Sequence, residues 1–392
     1  MDSIFKHTEN NGEAIITGLQ RALTETSIFI PETINGIPVV EIGPEAFRST
    51  SITDIKIGEN IKKIGEKAFY MCEKLQSVTW HCQCDVIPVD CFSGCSNLTQ
   101  FDFSNIKRIE KRAFSESGLQ KVCLPQNIEC IIEGAFSRCK TLSSVKWNCK
   151  CDVIPTFCFY KCRNLTQFDF SKIKKVEKCA FSESGLQKVC LPQNIECISG
   201  WTFSKCKELR SVEWNCKCDV IPVFCFLRCS NLTQFDFSNI KRIDRAAFYE
   251  SGLKEVCLPE NIECIIEGAF CRCKTLSSVK WNCKCNVISV DCFAGCSNLT
   301  QFDFSNIKRI GAHAFEDSGL TSVRLSKETA VDQSGFACCN DLEKIEWLSG
   351  RSIEGDIFEE CQNIKEIIIS DNVMGIAVDA FASSPNAEIS FI

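Results

Sequence analysis

The chain has 392 residues, of which 44 are Lys or Arg and 50 are Asp or Glu, so its formal net charge is −6. Charges of both signs are interspersed, which excludes the concentrated basic surface that binds nucleic acid or an acidic membrane. No apolar run approaches the ~18 residues of a transmembrane helix, and no basic segment followed by an apolar one opens the sequence. These features predict a cytoplasmic protein with no transmembrane segment and no nucleic-acid partner.

The 31 cysteines recur in register along the chain. Disulfide scaffolds are usually short and poor in other core residues, whereas this chain is rich in Phe, Ile, Leu and Val. Reduced, buried cysteine used as a small apolar residue explains the composition better. We therefore expect mostly free thiols.

The first 46 residues differ from the rest and predict an N-terminal cap. Residues 13–18 and 26–31 have the composition of two short strands. A turn-rich segment with an Asn35-Gly36 step follows them. We expect this segment, residues 1–46, to cover the first face of a stacked array.

A single position then recurs to the end of the chain at steps of 21 to 23 residues. It is always Phe, namely Phe47, Phe69, Phe92, Phe114, Phe136, Phe159, Phe181, Phe203, Phe226, Phe248, Phe270, Phe293, Phe315, Phe336, Phe358 and Phe381. Three steps form a 67-residue super-repeat, because near-copies of the segment beginning at Cys91 recur at that interval. A fixed long period predicts a stacked repeat array.

Each unit carries a Leu-x-x-Φ-x-Φ pattern, where Φ is apolar, as in Leu98, Phe101 and Phe103. The alternation predicts a strand with one buried face, and so short a strand needs its neighbours, so we expect one long parallel sheet. The Ala-Phe step predicts a short α or 3₁₀ turn on the other side. The expected fold is an α/β solenoid of 22–23-residue repeats over residues 47–381, followed by a C-terminal capping strand within residues 382–392.

The segment from Ile64 to Leu75, Ile-Gly-Glu-Lys-Ala-Phe-Tyr-Met-Cys-Glu-Lys-Leu, resembles the leucine-rich repeat of BspA-like proteins. Residues 28–39 resemble the N-terminal cap of that family. The resemblance implies a non-enzymatic solenoid without catalytic residues. Family members are often surface proteins of bacteria and parasitic protists that bind host or matrix proteins. The resemblance therefore gives the cell surface or secretion as the alternative localisation.

The Cys-x-Cys pairs are candidate metal ligands, namely Cys82/Cys84, Cys149/Cys151, Cys216/Cys218 and Cys283/Cys285. A closed zinc site needs four ligands, and successive pairs lie three layers apart, so two pairs cannot share an ion. A site would need cysteines of neighbouring layers, such as Cys130 beside Cys151. We favour thiols copied with the repeat, and predict no metal and no cofactor.

Two further patterns allow chemistry that we do not favour. Cysteines three residues after Phe, such as Cys72 and Cys95, fall in adjacent layers, where a disulfide is geometrically allowed. A buried ladder of small residues is the preferred interpretation. Four Asn-Leu-Thr sequons, which begin at Asn97, Asn164, Asn231 and Asn298, match the N-glycosylation acceptor. Their Leu is a core position, and we expect the sequons to be unused.

Enzymatic arrangements are poorly represented. The three histidines, His7, His81 and His313, do not recur, although nucleophilic catalysis would need a histidine beside a nucleophile in a pocket. Glycine-rich phosphate loops are absent from the sequence. We predict that the protein is not an enzyme.

The outward positions of the predicted strands form a mixed polar face, and extended faces are how solenoids bind partners. The candidate binding residues are Gln100, Asp102, Lys121, Cys123, Lys146, Gln167, Asp169, Lys188, Glu213, Gln234, Asp236, Lys280 and Asp303. We expect a protein-binding solenoid, monomeric or weakly oligomeric, that acts as a surface antigen or adhesin for host or matrix proteins. The alternatives are a cytosolic scaffold and a solvated face without a partner.

Overall fold

The computed structural model describes residues 4–20 and 26–392. The chain divides into two compact units, Met1–Leu186 and Gln187–Ile392. Within each unit, successive repeats form layers that stack through short parallel strands on two sides. We call these the front strands, which follow the Leu-x-x position, and the back strands, which precede the Phe. The described residues contain no helix, so the predicted solenoid of stacked parallel strands is confirmed, whereas the expected α or 3₁₀ side is not supported and the fold is a β-solenoid.

The helical turn expected at the Ala-Phe step is replaced by a ladder of turns, as the Phe114 layer shows. The residues two before and two after this Phe, Arg112 and Glu116, have φ of 53° and 58°. A left-handed residue on each side prevents a continuous right-handed helix. The N–H groups of Arg112, Phe114 and Glu116 donate to carbonyls of the next layer at 2.8 to 3.0 Å, whereas those of the intervening residues close turns within the layer.

The first unit opens with an antiparallel hairpin that pairs with its back side. The hairpin strands are Phe5–Asn10 and Glu13–Leu19, and the second of them lies parallel to Ile37–Ile42. Thr33–Ile34 turns back onto the same strand through Asn35 and Gly36, both with positive φ, as the Asn-Gly step predicts. The first strand of the hairpin was missed by the sequence analysis.

The front strands of the first unit are Ser27–Phe29, Asp54–Ile57, Ser77–Trp80, Lys121–Leu124 and Ser144–Trp147. Its back strands are Ile37–Ile42, Lys63–Ile64, Val86–Ile87, Arg108–Ile109, Cys130–Ile131, Val153–Ile154 and Lys175–Val176. Equivalent positions pair in register, so that Cys123 lies beside Lys146.

The front strands of the second unit are Lys188–Leu191, Ser211–Trp214, Glu255–Leu258, Ser278–Trp281, Ser322–Leu325, Lys344–Trp347, Glu366–Ile369 and Glu388–Phe391. Its back strands are Cys197–Ile198, Val220–Ile221, Arg242–Ile243, Cys264–Ile265, Val287–Ile288, Arg309–Ile310 and Ala330–Val331. The last front strand lies within the predicted segment, residues 382–392.

The front sheet is interrupted at every Phe-Asp-Phe layer, so the expectation of one long sheet is wrong. The segments 101–103 and 168–170 of the first unit form no strand, and neither do 235–237 and 302–304 of the second. At the first of these, the Asp102 carboxylate accepts a hydrogen bond from the backbone N–H of Ser104 at 2.9 Å. Such a local bond competes with strand pairing, although the Phe-x-Phe alternation matches that of a strand.

The recurring Phe forms the core of each unit. From Phe47 to Phe315 every ring is fully buried. In the first unit the rings stack with centroids 5.3 to 5.9 Å apart. Offset stacking of this kind adds to the stabilisation from apolar burial. The predicted core register is therefore correct in the described residues.

Candidate functional site

All thirteen predicted binding residues are exposed on the front side of their unit. Seven lie in the first unit and six in the second. Strand alternation places them outward, because the neighbouring Val, Leu and Trp positions of the same strands point into the core. We call these residues the front face of each unit. The structure establishes their exposure, and their role in binding stays a prediction.

The front-face aspartates also have a structural role. Asp102 and Asp169 in the first unit accept hydrogen bonds from the backbone N–H two residues later, at 2.9 Å. Asp236 and Asp303 do the same in the second unit. Each carboxylate thus stabilises the turn of a Phe-Asp-Phe layer and still presents oxygen atoms to solvent.

Charges of opposite sign pair across neighbouring layers of the front face. In the second unit, Lys188 Nζ lies 2.5 Å from Glu213 Oε1. The hydrogen bond between them raises the pKa of Lys188 and lowers that of Glu213. Exposed pairs contribute little to stability. In the first unit, Lys146 has no ion-pair partner among the described residues, so its charge is available to a ligand.

Cys190, one of the exposed cysteines of the second unit, is not an activated nucleophile. Desolvation and the neighbouring Glu213 raise the pKa of Cys190, so its thiol is protonated at neutral pH and reacts slowly.

The Cys-x-Cys pairs belong to a tryptophan-anchored turn. In the first unit, Trp80 Nε1 donates to the carbonyl oxygen of Cys84 at 2.9 Å, and Trp147 bonds to Cys151 in the same way. A hydrogen bond between the two thiols lowers the pKa of Cys82 and raises that of Cys84. Residues 4–20 and 26–392 contain no group of three or more His, Cys, Asp or Glu that could hold a metal ion.

The cysteines three residues after Phe donate hydrogen bonds as well as filling space. Cys72 Sγ lies 2.9 Å from the carbonyl oxygen of Phe47, and Cys139 Sγ lies 3.1 Å from that of Phe114. Burial raises the pKa of Cys139 to about 12. This donor role was not predicted from the sequence, although the alternation of Cys with Ser117 at this position indicates it. Every cysteine is a free thiol in the structure.

The remaining candidates do not converge on one site. The asparagines of all four sequons are exposed and the leucines beside them are buried, as predicted, and the use of the sequons stays a prediction. His313 Nδ1 lies 3.0 Å from Glu316, and His7 lies near Glu9 in the N-terminal hairpin. In the part of the chain that the structure describes, no helix is long and apolar enough to cross a membrane.

A β-solenoid whose layers repeat Leu-x-x-Φ-x-Φ is a leucine-rich repeat protein. The family model of the BspA type leucine rich repeat region, in six copies, matches residues 24–143, 152–277, 221–343 and 265–388. The chain therefore belongs to the BspA-type leucine-rich repeat family, which is a family of generally non-enzymatic scaffolds. A search of curated protein sequences finds no match.

Solved structures support the fold. A leucine-rich repeat protein from Bacteroides ovatus ATCC 8483 is 20% identical, with a TM-score of 0.61 over 100% of this chain and 98% of that one. A leucine rich cell surface protein from Faecalibacterium prausnitzii A2-165 is also 20% identical, with a TM-score of 0.50 over 100% of this chain and 94% of that one. At this identity the likeness concerns the fold alone.

Proposed function

We propose that the protein is a protein-binding scaffold that contacts its partners through the front face, and that it acts as a surface antigen or adhesin for host or matrix proteins. The observation that carries the binding proposal is the exposure of all thirteen front-face residues on a frame held by backbone hydrogen bonds. A rigid frame lowers the entropy that binding costs. The surface role is supported by the family, which is often surface-associated.

The binding proposal is tested by reversing two front-face charges. Lys146→Glu and Lys280→Glu change equivalent exposed residues, one in each unit. Lys150→Glu and Lys284→Glu are the matched control, because these lysines are exposed, lie four positions further along the chain and are outside the front face. Surface plasmon resonance against purified matrix proteins should show saturable binding that the front-face variant weakens at least tenfold. Equal binding by both variants would contradict the front-face assignment.

The surface role is tested separately on cells that express the native protein. A membrane-impermeant biotin reagent applied to intact cells should label this chain. Labelling only after lysis would remove the adhesin proposal.

A cytosolic scaffold is the second candidate, and the free thiols favour it. No disulfide links the cysteines in the described part of the chain, whereas exposed thiols in oxidising compartments commonly form disulfides. If labelling fails and all cysteines of the native protein are reduced, the front face would serve an intracellular partner.

A further inference from the structure

Every third layer of the solenoid is one residue short, and this produces a notch in its surface. The Leu of the Leu-x-x-Φ-x-Φ pattern is the sixth residue after Phe92. It is only the fifth residue after Phe114, and the same shortening occurs after Phe181, Phe248 and Phe315. In the Phe114 layer, the Gly118 N–H donates to the Cys95 carbonyl oxygen at 3.0 Å. This bond holds the backbone at Gly118 close to that of the preceding layer.

Glycine is required at the floor of the notch. A Cβ atom on Gly118 would lie 2.1 Å from the carbonyl oxygen of Ser96, and one on Gly252 would lie 2.0 Å from that of Ser230. A side chain at either position would force these backbone atoms to shift, and with glycine there the space above stays unfilled.

Two of these notches are open grooves that share seven lining positions. The first groove, of about 280 Å³, lies in the first unit and is lined by Ser96, Glu116, Gly118, Arg138, Lys140 and Thr141. The second groove, of about 580 Å³, lies in the second unit and is lined by Ser230, Glu250, Gly252, Arg272, Lys274 and Thr275. Each of these six residues has its counterpart in the second groove two super-repeats later, whereas Met71, Glu73 and Gly94 line only the first groove and Gly295 and Asp317 only the second.

The arginine of the first groove is held in place, whereas its lysine is not paired with a carboxylate of the described residues. Arg138 Nη1 lies 3.0 Å from Glu116 Oε1, and the guanidinium carbon lies 5.9 Å from the centre of the Tyr160 ring. Thr141 donates its hydroxyl to the carbonyl oxygen of Leu119 at 3.1 Å, so its oxygen can still accept a hydrogen bond. Lys140 has no ion-pair partner among the described residues, which leaves a positive charge at the groove.

The second groove also presents basic side chains, but its glutamate pairs with a different arginine. Arg228 Nε lies 2.8 Å from Glu250 Oε2, whereas Arg272 Nη1 is 3.8 Å from the other oxygen of that carboxylate. Arg272 therefore shares its counter-ion with a closer cation. Lys274 has no ion-pair partner in the described part of the chain, so both basic side chains can contact an anion.

We propose that the two grooves bind an acidic saccharide, that is, a hydroxyl-rich ring carrying a carboxylate or a sulfate. The basic side chains fit the anion. The lining also contains the carboxylates of Glu116 and Glu250, with Glu73 and Asp317 at the borders, and these accept hydrogen bonds from sugar hydroxyls. Met71 is the one apolar side chain among the lining residues of the two grooves, so the lining offers hydrogen-bonding and charged groups that suit a hydroxyl-rich anionic ligand.

A third short layer, in the second unit, is a natural comparison. Gly319 donates to the Cys296 carbonyl oxygen at 3.2 Å, so the backbone notch is formed. The positions of Arg272 and Lys274 are occupied there by Cys338 and Asn340. The notch therefore keeps its backbone form without basic groups, and we expect it not to bind.

The test is titration of the full chain with a sulfated uronic acid–hexosamine disaccharide, followed by calorimetry, with lactose as the neutral probe. The wild type should bind the sulfated sugar saturably and ignore lactose. Lys140→Ala with Lys274→Ala should weaken binding at least tenfold, whereas Lys150→Ala with Lys284→Ala should stay within twofold. Thermal unfolding of both variants should match the wild type, because all four lysines are exposed.

A gain of binding tests the same proposal in the opposite direction. Cys338→Arg with Asn340→Lys should add one sugar per chain. The proposal is overturned if the wild type shows no saturable binding, if the two lysine variants lose binding equally, or if a polyglutamate peptide competes as well as the sugar. The front face lies outside the grooves. A negative result in the protein-binding test of the front face can therefore be distinguished from a negative result in the saccharide-binding test of the grooves.

Discussion

Gly118 shows how one missing side chain sets the form of a layer. Its amide must approach the Cys95–Ser96 backbone, and hydrogen is the one substituent that fits. The sequence contains this information as a Phe-to-Leu spacing of five instead of six. We did not derive a groove from it, because the depth of the notch depends on the side chains of the flanking layers.

We expect Gly118→Ala to lower stability by about 1–3 kcal/mol, because the added methyl group meets backbone atoms that must move. Chemical denaturation monitored by circular dichroism measures the change. Gly375→Ala is the control, since a Cβ there has an ordinary contact at 3.7 Å from Ser352 Oγ. A loss no larger than that of the control would show that the layer relaxes freely.

The Cys190 thiol provides a pH prediction. Glu213 is one of the groups that raise the pKa of Cys190, after desolvation. Removing this negative charge with Glu213→Gln favours the thiolate, so the pH profile of Cys190 alkylation should shift to lower pH. Peptide mass spectrometry after timed iodoacetamide labelling measures it. The rate at Cys257, whose register neighbour is Lys280, should not change, and a shift at both sites would indicate a general opening of the structure.

At the scale of the element, the recurring Phe was predictable and the turns around it were not. Phe is invariant in the sequence and its burial follows from period and hydrophobicity. The left-handed residues two positions away are chemically diverse, and include Arg112, Cys179 and Trp201. Glycine or asparagine usually indicates such a conformation, so the pattern predicted a helical turn where the chain forms a ladder.

Some of the strands were likewise predictable from the sequence and others were not. The Val-x-Leu and Val-x-Trp strands were predictable from alternation, and so was the outward direction of the front face. The Phe-Asp-Phe segments share this alternation, but the Asp102–Ser104 bond removes their strand character. A short side chain that bonds to its own backbone therefore overrides a periodicity that other layers follow.

Replacing a ring in the Phe column should be costly. Phe181 is fully buried and contacts Phe159, Phe168 and Phe170 at centroid distances of 5.1 to 5.4 Å. We expect Phe181→Ala to cost about 3–5 kcal/mol, visible as a lower thermal midpoint. Phe29→Ala, at a position 52% exposed, should change the midpoint far less. Similar midpoints for both variants would contradict the core register.

At the scale of the whole chain, the thiols differ in burial. Of the 31 cysteines, 21 are buried, six are half-buried, and Cys123, Cys190, Cys197 and Cys257 are exposed. Titration of the native protein with Ellman's reagent should give about four fast thiols, and denaturation should release the remainder, because burial blocks access to the reagent. Fewer than 31 thiols in the denatured protein, without reductant, would reveal disulfides and favour an oxidising compartment.

The caps remain proposals. The N-terminal hairpin packs Phe5 against Phe47 with ring centroids 6.2 Å apart, which supports a covering role for residues 1–46. Strand Glu388–Phe391 leaves Ile389 and Phe391 50% and 57% exposed. This strand therefore extends the front sheet without covering its apolar side, and the proposed C-terminal cap has less support than the N-terminal one.

The short layer has a consequence for inheritance. Because every third layer is shorter, a recombination event that adds or removes one or two layers would place a notch against the wrong neighbour. An event that adds or removes all 67 residues of a super-repeat would leave each layer beside a neighbour of the same kind. We therefore expect alleles of this gene to differ in length by whole super-repeats.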